Sequence, residues 1–309
     1  MRPCRRFVAP SGEIQKKHNH ACRGFQMTPF SAGESRPLTT LPVLACDCHM
    51  HVFDSTRMPV AGAVVTPPTA SIDDYRKLQA RLGSSRHVLV QPSTYGTDNS
   101  LMVSVLERNR DTARGIAVVD ESVTDAELDL LNDAGVVGIR FNQVQAGATR
   151  LEMLQALAAR ISRLGWHIQL HLTGEQLVEA AQPLLALDIP IVLDHYARIY
   201  HVPGIASEVG KNLLRLMESG RVWLKLSAPY LSSQSDQPPY PDLAQTVATL
   251  CQRFSDRLVW GTDWPHATEE DKPDDAKMVD WLSDLMPSPE LRLRVFADNA
   301  AELYRFQGD

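Results

Sequence analysis

Hydrophobic residues in this chain fall into eight short runs, spaced roughly 20 to 40 residues apart. Each run is rich in Val, Ile, Leu or Trp and is bounded by Gly, Pro or charged residues, which is typical of strands buried in a parallel sheet. The pattern therefore predicts eight strands. They cover residues 44–53, 86–93, 113–120, 135–142, 166–172, 189–197, 221–229 and 257–265.

Amphipathic segments with helical spacing lie between these runs. The segment 71–83 begins with Ser71 as an N-cap, carries acidic residues in its first turn and ends at Gly83. Strands that alternate with helices in this way pair in parallel through right-handed crossovers. The remaining helical patterns cover residues 98–110, 124–135, 150–165, 173–187, 206–220, 239–254, 273–286 and 288–306.

Chemically reactive side chains occur at the carboxyl-terminal ends of nearly all the predicted strands. No Gly-rich phosphate-binding turn follows the first strand, so an open dinucleotide-binding sheet and a nucleotide cofactor are not indicated. A ring of polar strand ends is instead where barrel enzymes keep their active sites, so we predict an α/β fold of the TIM (β/α)8-barrel class. The ring consists of His49, His51, Gln91, Ser93, Asp120, Arg140, Asn142, His171, Asp194, His195, Lys225, Ser227 and Asp263.

Length and composition agree with one barrel and argue against several other classes. The 309 residues are 44% hydrophobic and 22% charged, which is ample for a barrel core. No apolar run reaches the roughly 18 residues of a membrane helix. The net charge of −6, without a stripe of Lys and Arg, argues against nucleic-acid binding. The five scattered cysteines favour a cytoplasmic location. We expect a small-molecule partner, and the composition is compatible with a homo-oligomer.

The beginning of the chain differs from the rest. Residues 1–26 hold six Lys or Arg and one acidic residue, which leaves a net charge of −11 on the remainder. The segment lacks the apolar stretch of a secretory signal, although its Arg-rich composition is shared by transit peptides. We expect residues 1–42 to be an extension, either disordered or preceding a true start at Met27, and residues 43–309 to form the barrel domain.

The pair His49 and His51 is the strongest local signal of chemistry. Side chains alternate along a strand, so these imidazoles share one face with Asp47. Asp263 ends the last predicted strand between apolar neighbours, where a buried carboxylate needs a partner. Histidines or a metal ion would supply that partner. We therefore predict an active site on His49, His51 and Asp263.

Further candidates end the middle strands. His195 and His171 end the sixth and fifth strands, whereas His167 is expected at the opposite end of the barrel. Arg140 could clamp a carboxylate, polarise a carbonyl or form a structural salt bridge. Ser93 lacks the Gly-x-Ser-x-Gly turn of a serine hydrolase. The neutral side chains that could orient a substrate are Gln91, Ser93, Asn142 and Tyr230.

Together these motifs resemble the amidohydrolase superfamily over residues 44–307. The resemblance is carried by segments 47–53, 91–93, 138–142, 194–195, 261–266 and 298–304. The branch that they resemble contains 2-pyrone-4,6-dicarboxylate lactonase, sugar-acid lactonases and D-galactarolactone isomerase. The resemblance implies a barrel hydrolase with His49, His51, His195 and Asp263 at its centre and Arg140 on a substrate carboxylate.

The resemblance leaves the metal content open. The pyrone lactonase branch works without metal, and no Lys ends the fourth strand, where binuclear amidohydrolases place a carboxylated Lys. However, His49, His51, His171 and Asp263 form a set of three histidines and one carboxylate that suits one Zn²⁺ or Mn²⁺ ion. We expect either one divalent ion on these four residues or a metal-free site.

Two departures from the family pattern concern the substrate. Residues 229–233 lack the Arg that the pyrone lactonase carries after its seventh strand, and Thr268 stands where an Asn is expected. These departures favour a lactone less anionic than a pyrone dicarboxylate.

We predict hydrolysis of a small lactone or cyclic ester. Asp263 would act as general base on water, while His49, His51 and His195 polarise the carbonyl. Lactone isomerisation on the same site, decarboxylation with one metal ion, and a barrel that only binds ligands are the alternatives.

Overall fold

The computed structural model describes residues 28–145, 147–199 and 204–306, and its centre is an eight-stranded parallel sheet. The strands pair in chain order, so each neighbour in sequence is also a neighbour in space. All eight predicted strands are present, and the predicted TIM (β/α)8 barrel is confirmed. The strands are β1 Cys46–Met50, β2 Arg86–Val90, β3 Ala113–Ala117, β4 Val136–Asn142, β5 His167–His171, β6 Ile191–Leu193, β7 Val222–Leu226 and β8 Leu258–Trp260.

Main-chain hydrogen bonds just beyond the strands join β1 to β8. Met50 pairs in parallel with Trp264. The amide of Asp263 donates to the carbonyl of His49, and the amide of His51 donates to the carbonyl of Trp264, both over 2.8 Å. The closure of the barrel therefore sets the predicted catalytic residues of the first and last strands side by side.

The buried carboxylate of Asp47 stabilises the same seam between β1 and β8. It accepts hydrogen bonds from the amide and hydroxyl of Thr262, from the amide of His49 and from the hydroxyl of Tyr75. Burial raises the pKa of Asp47 to about 6, although these four hydrogen bonds act to lower it. Asp47 therefore faces the helix that carries Tyr75, and a register shift in β1 between Asp47 and Met50 separates it from the face of His49 and His51, so the predicted common face is wrong.

Helices cover the outside of the barrel, and their caps follow the sequence. In α1, Ser71 and Asp74 form a capping box, and Gly83 ends the helix with a φ of 85°. The last predicted helix is divided by a π-helical turn at residues 294–298. No helix in the described residues is both long and apolar enough to cross a membrane. The helices are α1 Ile72–Leu82, α2 Ser100–Leu106, α3 Asp125–Ala134, α4 Leu154–Ile161, α5 Gly174–Leu185, α6 Glu208–Glu218, α7 Pro241–Arg253, α8 Asp275–Asp284, α9 Pro289–Leu293 and α10 Asn299–Leu303.

The sixth strand is shorter than its hydrophobic run predicts. β6 ends at Leu193, and the segment His195–Arg198 forms a tight turn in which all four φ angles lie between 52° and 55°. Left-handed backbone costs non-glycine residues about 1–2 kcal/mol each, and such conformations cluster at functional sites. His195 is consequently held in a turn at the mouth of the barrel, beyond the end of the strand.

The described part of the predicted N-terminal extension packs against the barrel. The indole nitrogen of Trp264 donates to the carbonyl of Pro29 over 2.9 Å, and the guanidinium of Arg81 donates to two carbonyls of this segment. Residues 28–42 therefore lie with the barrel domain instead of forming a disordered extension. The expectations for residues 1–27 lie outside the described part of the chain.

Candidate active site

Asp263 lies among three histidines at the carboxyl-terminal end of the barrel. Its Oδ1 atom is 3.5 Å from Nε2 of His49, 3.6 Å from Nε2 of His51 and 3.8 Å from Nε2 of His195. The Nε2 atoms of His49 and His51 are 3.2 Å apart. The structure thus brings together the four residues that the sequence assigned to the catalytic centre.

The carboxyl group of Asp263 is ionised. Burial alone would raise its pKa, but the interactions with His195, His51 and His49 outweigh burial and hold the pKa well below its usual value. The hydroxyl of Tyr230 also donates to Oδ2 over 2.9 Å. The site therefore presents a carboxylate with one oxygen engaged by Tyr230 and the other facing the histidines.

The hydrogen-bond partners of the first-strand histidines determine their tautomers. The Nδ1 atom of His51 lies 2.7 Å from the carbonyl oxygen of Val90, which can only accept, so Nδ1 carries the proton and Nε2 of the neutral ring a lone pair. The 3.2 Å contact between the Nε2 atoms of His49 and His51 then requires His49 to donate through Nε2–H. Burial lowers the pKa of His49 well below its usual value, which keeps that ring neutral.

A buried ion pair supports His49 from below. Nζ of Lys225 lies 3.3 Å from Nδ1 of His49, 3.5 Å from Oδ1 of Asp194 and 2.7 Å from Oε1 of Gln169. Burial would raise the pKa of Asp194, but the charges of His49 and Lys225 hold it well below its usual value. With Nε2 of His49 protonated, the ammonium of Lys225 donates to Nδ1. The amino group of Lys225 therefore lies directly behind the imidazole of His49.

Sequence reasoning gave these supporting residues no role. Asp194 and Lys225 were recognised as polar strand ends, whereas Gln169 was not singled out. The available signal was the alternation along the strands, since Gln169 lies two residues before His171 in β5 and faces the same interior. A buried Lys in a central strand is itself a signal, because its ammonium needs a partner.

Two sets of side chains in the described residues are spaced to hold a metal ion. One set is His49, His51 and Asp263, and the other is His49, Asp194 and His195, with the ligand atoms of each set within 4.8 Å of one another. His171 joins neither set, although its ring lies 4.8 Å from that of His195. Three of the four predicted ligands are therefore grouped, and His171 lies beside them.

The imidazole of His171 forms no hydrogen bond with the described residues. Both of its ring nitrogens are buried and lack a partner among the described residues. Burial, with the nearby charge of His195, lowers the pKa of His171 well below its usual value. His195 differs, because its Nδ1 lies 3.0 Å from the hydroxyl of Ser227, which can fix its tautomer.

A pocket of about 160 Å³ opens from this cluster to solvent. Two guanidinium groups, those of Arg140 and Arg198, line it together with Ser93 and Thr268. The Nε atoms of both arginines are buried without a hydrogen-bond partner in the described residues, although Nε of Arg140 lies 3.5 Å from Asp194. Arg198, which the sequence analysis did not single out, thus adds a second positive charge to the pocket.

Three of the predicted substrate-binding residues are absent from this pocket lining and have other partners. The amide of Gln91 donates to the carbonyl of Asp98 over 2.8 Å and so holds the loop after β2. Asn142 accepts from the amides of Val144 and Gln145 and donates to Ser93. Tyr230 contacts Asp263. The polar atoms of all three side chains are thus engaged within the protein, and their roles in substrate binding stay predictions.

Comparison with known proteins agrees with the geometry. The amidohydrolase family profile matches residues 46–306. The chain is 36% identical to 2-pyrone-4,6-dicarboxylate hydrolase of Comamonas testosteroni over 91% of this chain and 97% of that protein, and 31% identical to 4-sulfomuconolactone hydrolase of Hydrogenophaga intermedia over 85% and 89%. A crystal structure from Agrobacterium tumefaciens superposes with a TM-score of 0.82 at 26% identity, covering 88% of this chain and all of that one. The chain belongs to the amidohydrolase family.

Proposed function

We propose that this protein hydrolyses small lactones that carry one or more anionic groups. The observation that carries the proposal is the ionised carboxylate of Asp263, which lines the pocket within 3.8 Å of nitrogen atoms of three histidines. A carboxylate in this setting can accept a proton from water, and neighbouring imidazoles can stabilise a developing oxyanion. The similarity to two named lactone hydrolases supports the same chemistry.

The reaction follows from the position of that base. Asp263 takes a proton from a water molecule as the water oxygen attacks the ring carbonyl carbon. The tetrahedral intermediate then collapses, and the bond between the carbonyl carbon and the ring oxygen breaks. The proton held by Asp263 passes to the departing ring oxygen. The product is an open-chain acid that contains one oxygen atom from water.

The oxyanion requires hydrogen-bond donors that point into the pocket. When the hydroxyl of Ser227 donates to Nδ1 of His195, the opposite nitrogen of that ring carries its proton toward Asp263 and the pocket. The positive charge of Lys225 behind His49 makes the Nε2–H of His49 a stronger donor. We assign His195 to polarisation of the carbonyl, and we assign His49 and His51, which are hydrogen-bonded to each other, to holding the carboxylate of Asp263 in place.

Two arginines make an anionic substrate the better match. Arg140 and Arg198 both line the pocket, and guanidinium groups bind carboxylates through paired hydrogen bonds. The absence of an arginine after β7 favoured a less anionic lactone. Arg198, in the turn after β6, supplies a positive charge to the pocket in its place. The relatives' names specify a dicarboxylate and a sulfonated lactone, both anionic.

A divalent ion fits the same cluster. His49, His51 and Asp263 have their ligand atoms close enough for one ion, and Asp194 can accept Nδ1–H from His49 when Nε2 is a ligand. Such an ion would supply Lewis-acid polarisation of the carbonyl. Asp263, His49 and His51 would then hold the ion, and the two arginines would still orient the substrate.

A panel of lactones tests the proposal. The purified chain is incubated with 2-pyrone-4,6-dicarboxylate, 4-sulfomuconolactone and uncharged dihydrocoumarin, and ring opening is followed by absorbance and by base uptake at constant pH. We expect turnover of at least one anionic lactone with a kcat/KM about 100-fold above that for dihydrocoumarin, as two added charge-assisted contacts predict. Turnover of dihydrocoumarin alone would contradict the anionic substrate class, and turnover of none would contradict the proposed activity on these substrates.

A further inference from the structure

A chain of three buried side chains lies behind Asp263, on the side away from the histidines. The hydroxyl of Tyr230 donates to Oδ2 of Asp263 over 2.9 Å and lies 3.0 Å from Nδ1 of His266. On the far side of that ring, Nε2 of His266 lies 3.1 Å from Oδ2 of Asp275. His266 and Asp275 are fully buried, so these contacts are made without solvent.

The direction of the hydrogen bonds follows from the number of protons. Tyr230 has one hydroxyl proton, and it points to Oδ2 of Asp263. The hydroxyl oxygen must then accept from His266, which requires the proton on Nδ1 of that ring. The contact between Nε2 of His266 and Asp275 then needs one further proton, either on Nε2 or on the carboxyl group of Asp275. The proton on Nδ1 of His266 therefore decides whether Tyr230 can donate to Asp263.

Separate elements of the fold hold the three groups in place. Tyr230 lies in the turn after β7, His266 lies in the loop after β8, and Asp275 is the first residue of α8. His266 has a φ of 53°, and its carbonyl accepts from Nζ of Lys272 over 2.8 Å. The ring of His266 is thus fixed both through its backbone and through Asp275.

We propose that His266, held by Asp275, is a positioning residue for catalysis that acts through Tyr230 on the carboxylate of Asp263. A hydrogen bond on Oδ2 keeps Oδ1 turned toward the histidines and the pocket. Loss of this bond lets the carboxylate rotate, and a misplacement of about 1 Å costs on the order of 100-fold in rate. The inference rests on the proposed role of Asp263 as general base.

Two substitutions of His266 separate positioning from packing. In His266→Asn, the side-chain amide nitrogen takes the place of Nδ1 and can still donate to Tyr230. In His266→Gln, the amide reaches the place of Nε2, so the contact with Asp275 is kept and the donor to Tyr230 is lost. We expect His266→Asn to keep kcat within about threefold, and His266→Gln to lower kcat about 100-fold with KM within about threefold.

Tyr230→Phe supplies the second measurement and removes only one oxygen atom. It should lower kcat by the same factor as His266→Gln, and the double variant should be no slower than either single one, because all remove one shared interaction. Equal losses in the Asn and Gln variants, or losses that multiply in the double variant, would overturn the proposal. Urea unfolding of each variant separates a folding defect from a catalytic one, and Tyr230→Phe decides the question if His266→Gln does not fold.

Asp263→Asn distinguishes this proposal from the one on which it rests. If Asp263→Asn abolishes turnover but His266→Asn and His266→Gln lose equal activity, only the positioning role of His266 fails. If Asp263→Asn retains full activity, Asp263 is not the base, and the proposed mechanism fails with the positioning role.

Discussion

The main-chain amide of Asp263 donates a hydrogen bond to the main-chain carbonyl of His49, with an N···O distance of 2.8 Å. This bond belongs to the seam that closes the barrel, so the carboxylate and the first-strand histidines are positioned by the fold itself. Rigid positioning of a base against its neighbours avoids reorganisation during the reaction. The same main-chain hydrogen bonds therefore close the sheet and bring His49 and Asp263 together.

Asp263→Asn should lower kcat by about 10³-fold, because a positioned base contributes roughly 10²- to 10⁴-fold. The amide keeps the size of the side chain and can still accept from Tyr230, so we expect an unchanged urea midpoint. Steady-state kinetics on the best lactone of the panel measures the effect. Asp120→Asn is the matched control, since Asp120 follows β3 and its side chain bonds only to Ser122 among the described residues. Similar kcat in the two variants would reject the role of Asp263.

Substitution of the pocket arginines should act on substrate binding. Arg140→Met and Arg198→Met each remove a charge-assisted contact worth about 1.5–3 kcal/mol, so KM for an anionic lactone should rise about 10- to 100-fold. The KM for dihydrocoumarin should stay within about threefold and provides the control. An equal rise for charged and uncharged lactones would show that these arginines shape the pocket without binding an anionic group.

Much of the fold could be predicted because it depends on local patterns. Eight apolar runs and the caps of α1 follow from side-chain alternation and helix-end chemistry. The cluster of His49, His51, His195 and Asp263 was also accessible, because strand ends in a barrel converge. The internal partners of Gln91 and Asn142 could not be predicted, because a sequence does not show which loop atoms a side-chain amide will face.

The turn after β6 could not be predicted from its pattern. The run 189–197 is apolar enough for a strand, but tertiary contacts hold His195–Arg198 in left-handed backbone that few non-glycine residues adopt. That turn places Arg198 in the pocket. The second cation of the site was consequently missed, and with it the reason for proposing an anionic substrate.

Metal titration should distinguish the ligands from their neighbours. Zn²⁺ added to chelator-treated protein should bind with one ion per chain in the parent and in His171→Asn, because His171 lies outside both sets of grouped ligand atoms. In His51→Asn the affinity should fall by at least about 100-fold, since even outer-shell changes cost 10- to 100-fold. Calorimetry measures both values. Equal loss in the two variants would restore His171 to the ligand set.

Acid should destabilise the fold through its buried histidines. Burial lowers the pKa of His87 and of His167 to about 3, while the unfolded value is about 6.5. Below pH 6.5 the unfolded chain binds more protons than the native one, so each such group removes about 1.4 kcal/mol of stability per pH unit. Urea unfolding at pH 7.5, 6.5 and 5.5 measures this fall. The same direction holds for the pKa values of His49, His171 and His195.

His167→Gln is the control for that acid lability. It removes one buried histidine at the bottom of the barrel, so stability should fall less steeply with acid, by about 1.4 kcal/mol per pH unit. Asp47 acts in the opposite sense between about pH 4 and 6, since its pKa is raised to about 6 and its proton favours the native state. An unchanged slope in His167→Gln would mean that this ring is protonated in the native protein.

Incorporation of oxygen from water tests the central claim most directly. The lactone is turned over in H₂¹⁸O, and the product is analysed by mass spectrometry with an uncatalysed ring-opening control. Hydrolysis through Asp263 predicts one ¹⁸O atom in the product carboxylate for each turnover. A product of unchanged mass without label would instead indicate isomerisation, in which a substrate hydroxyl replaces water, and would contradict the proposed reaction.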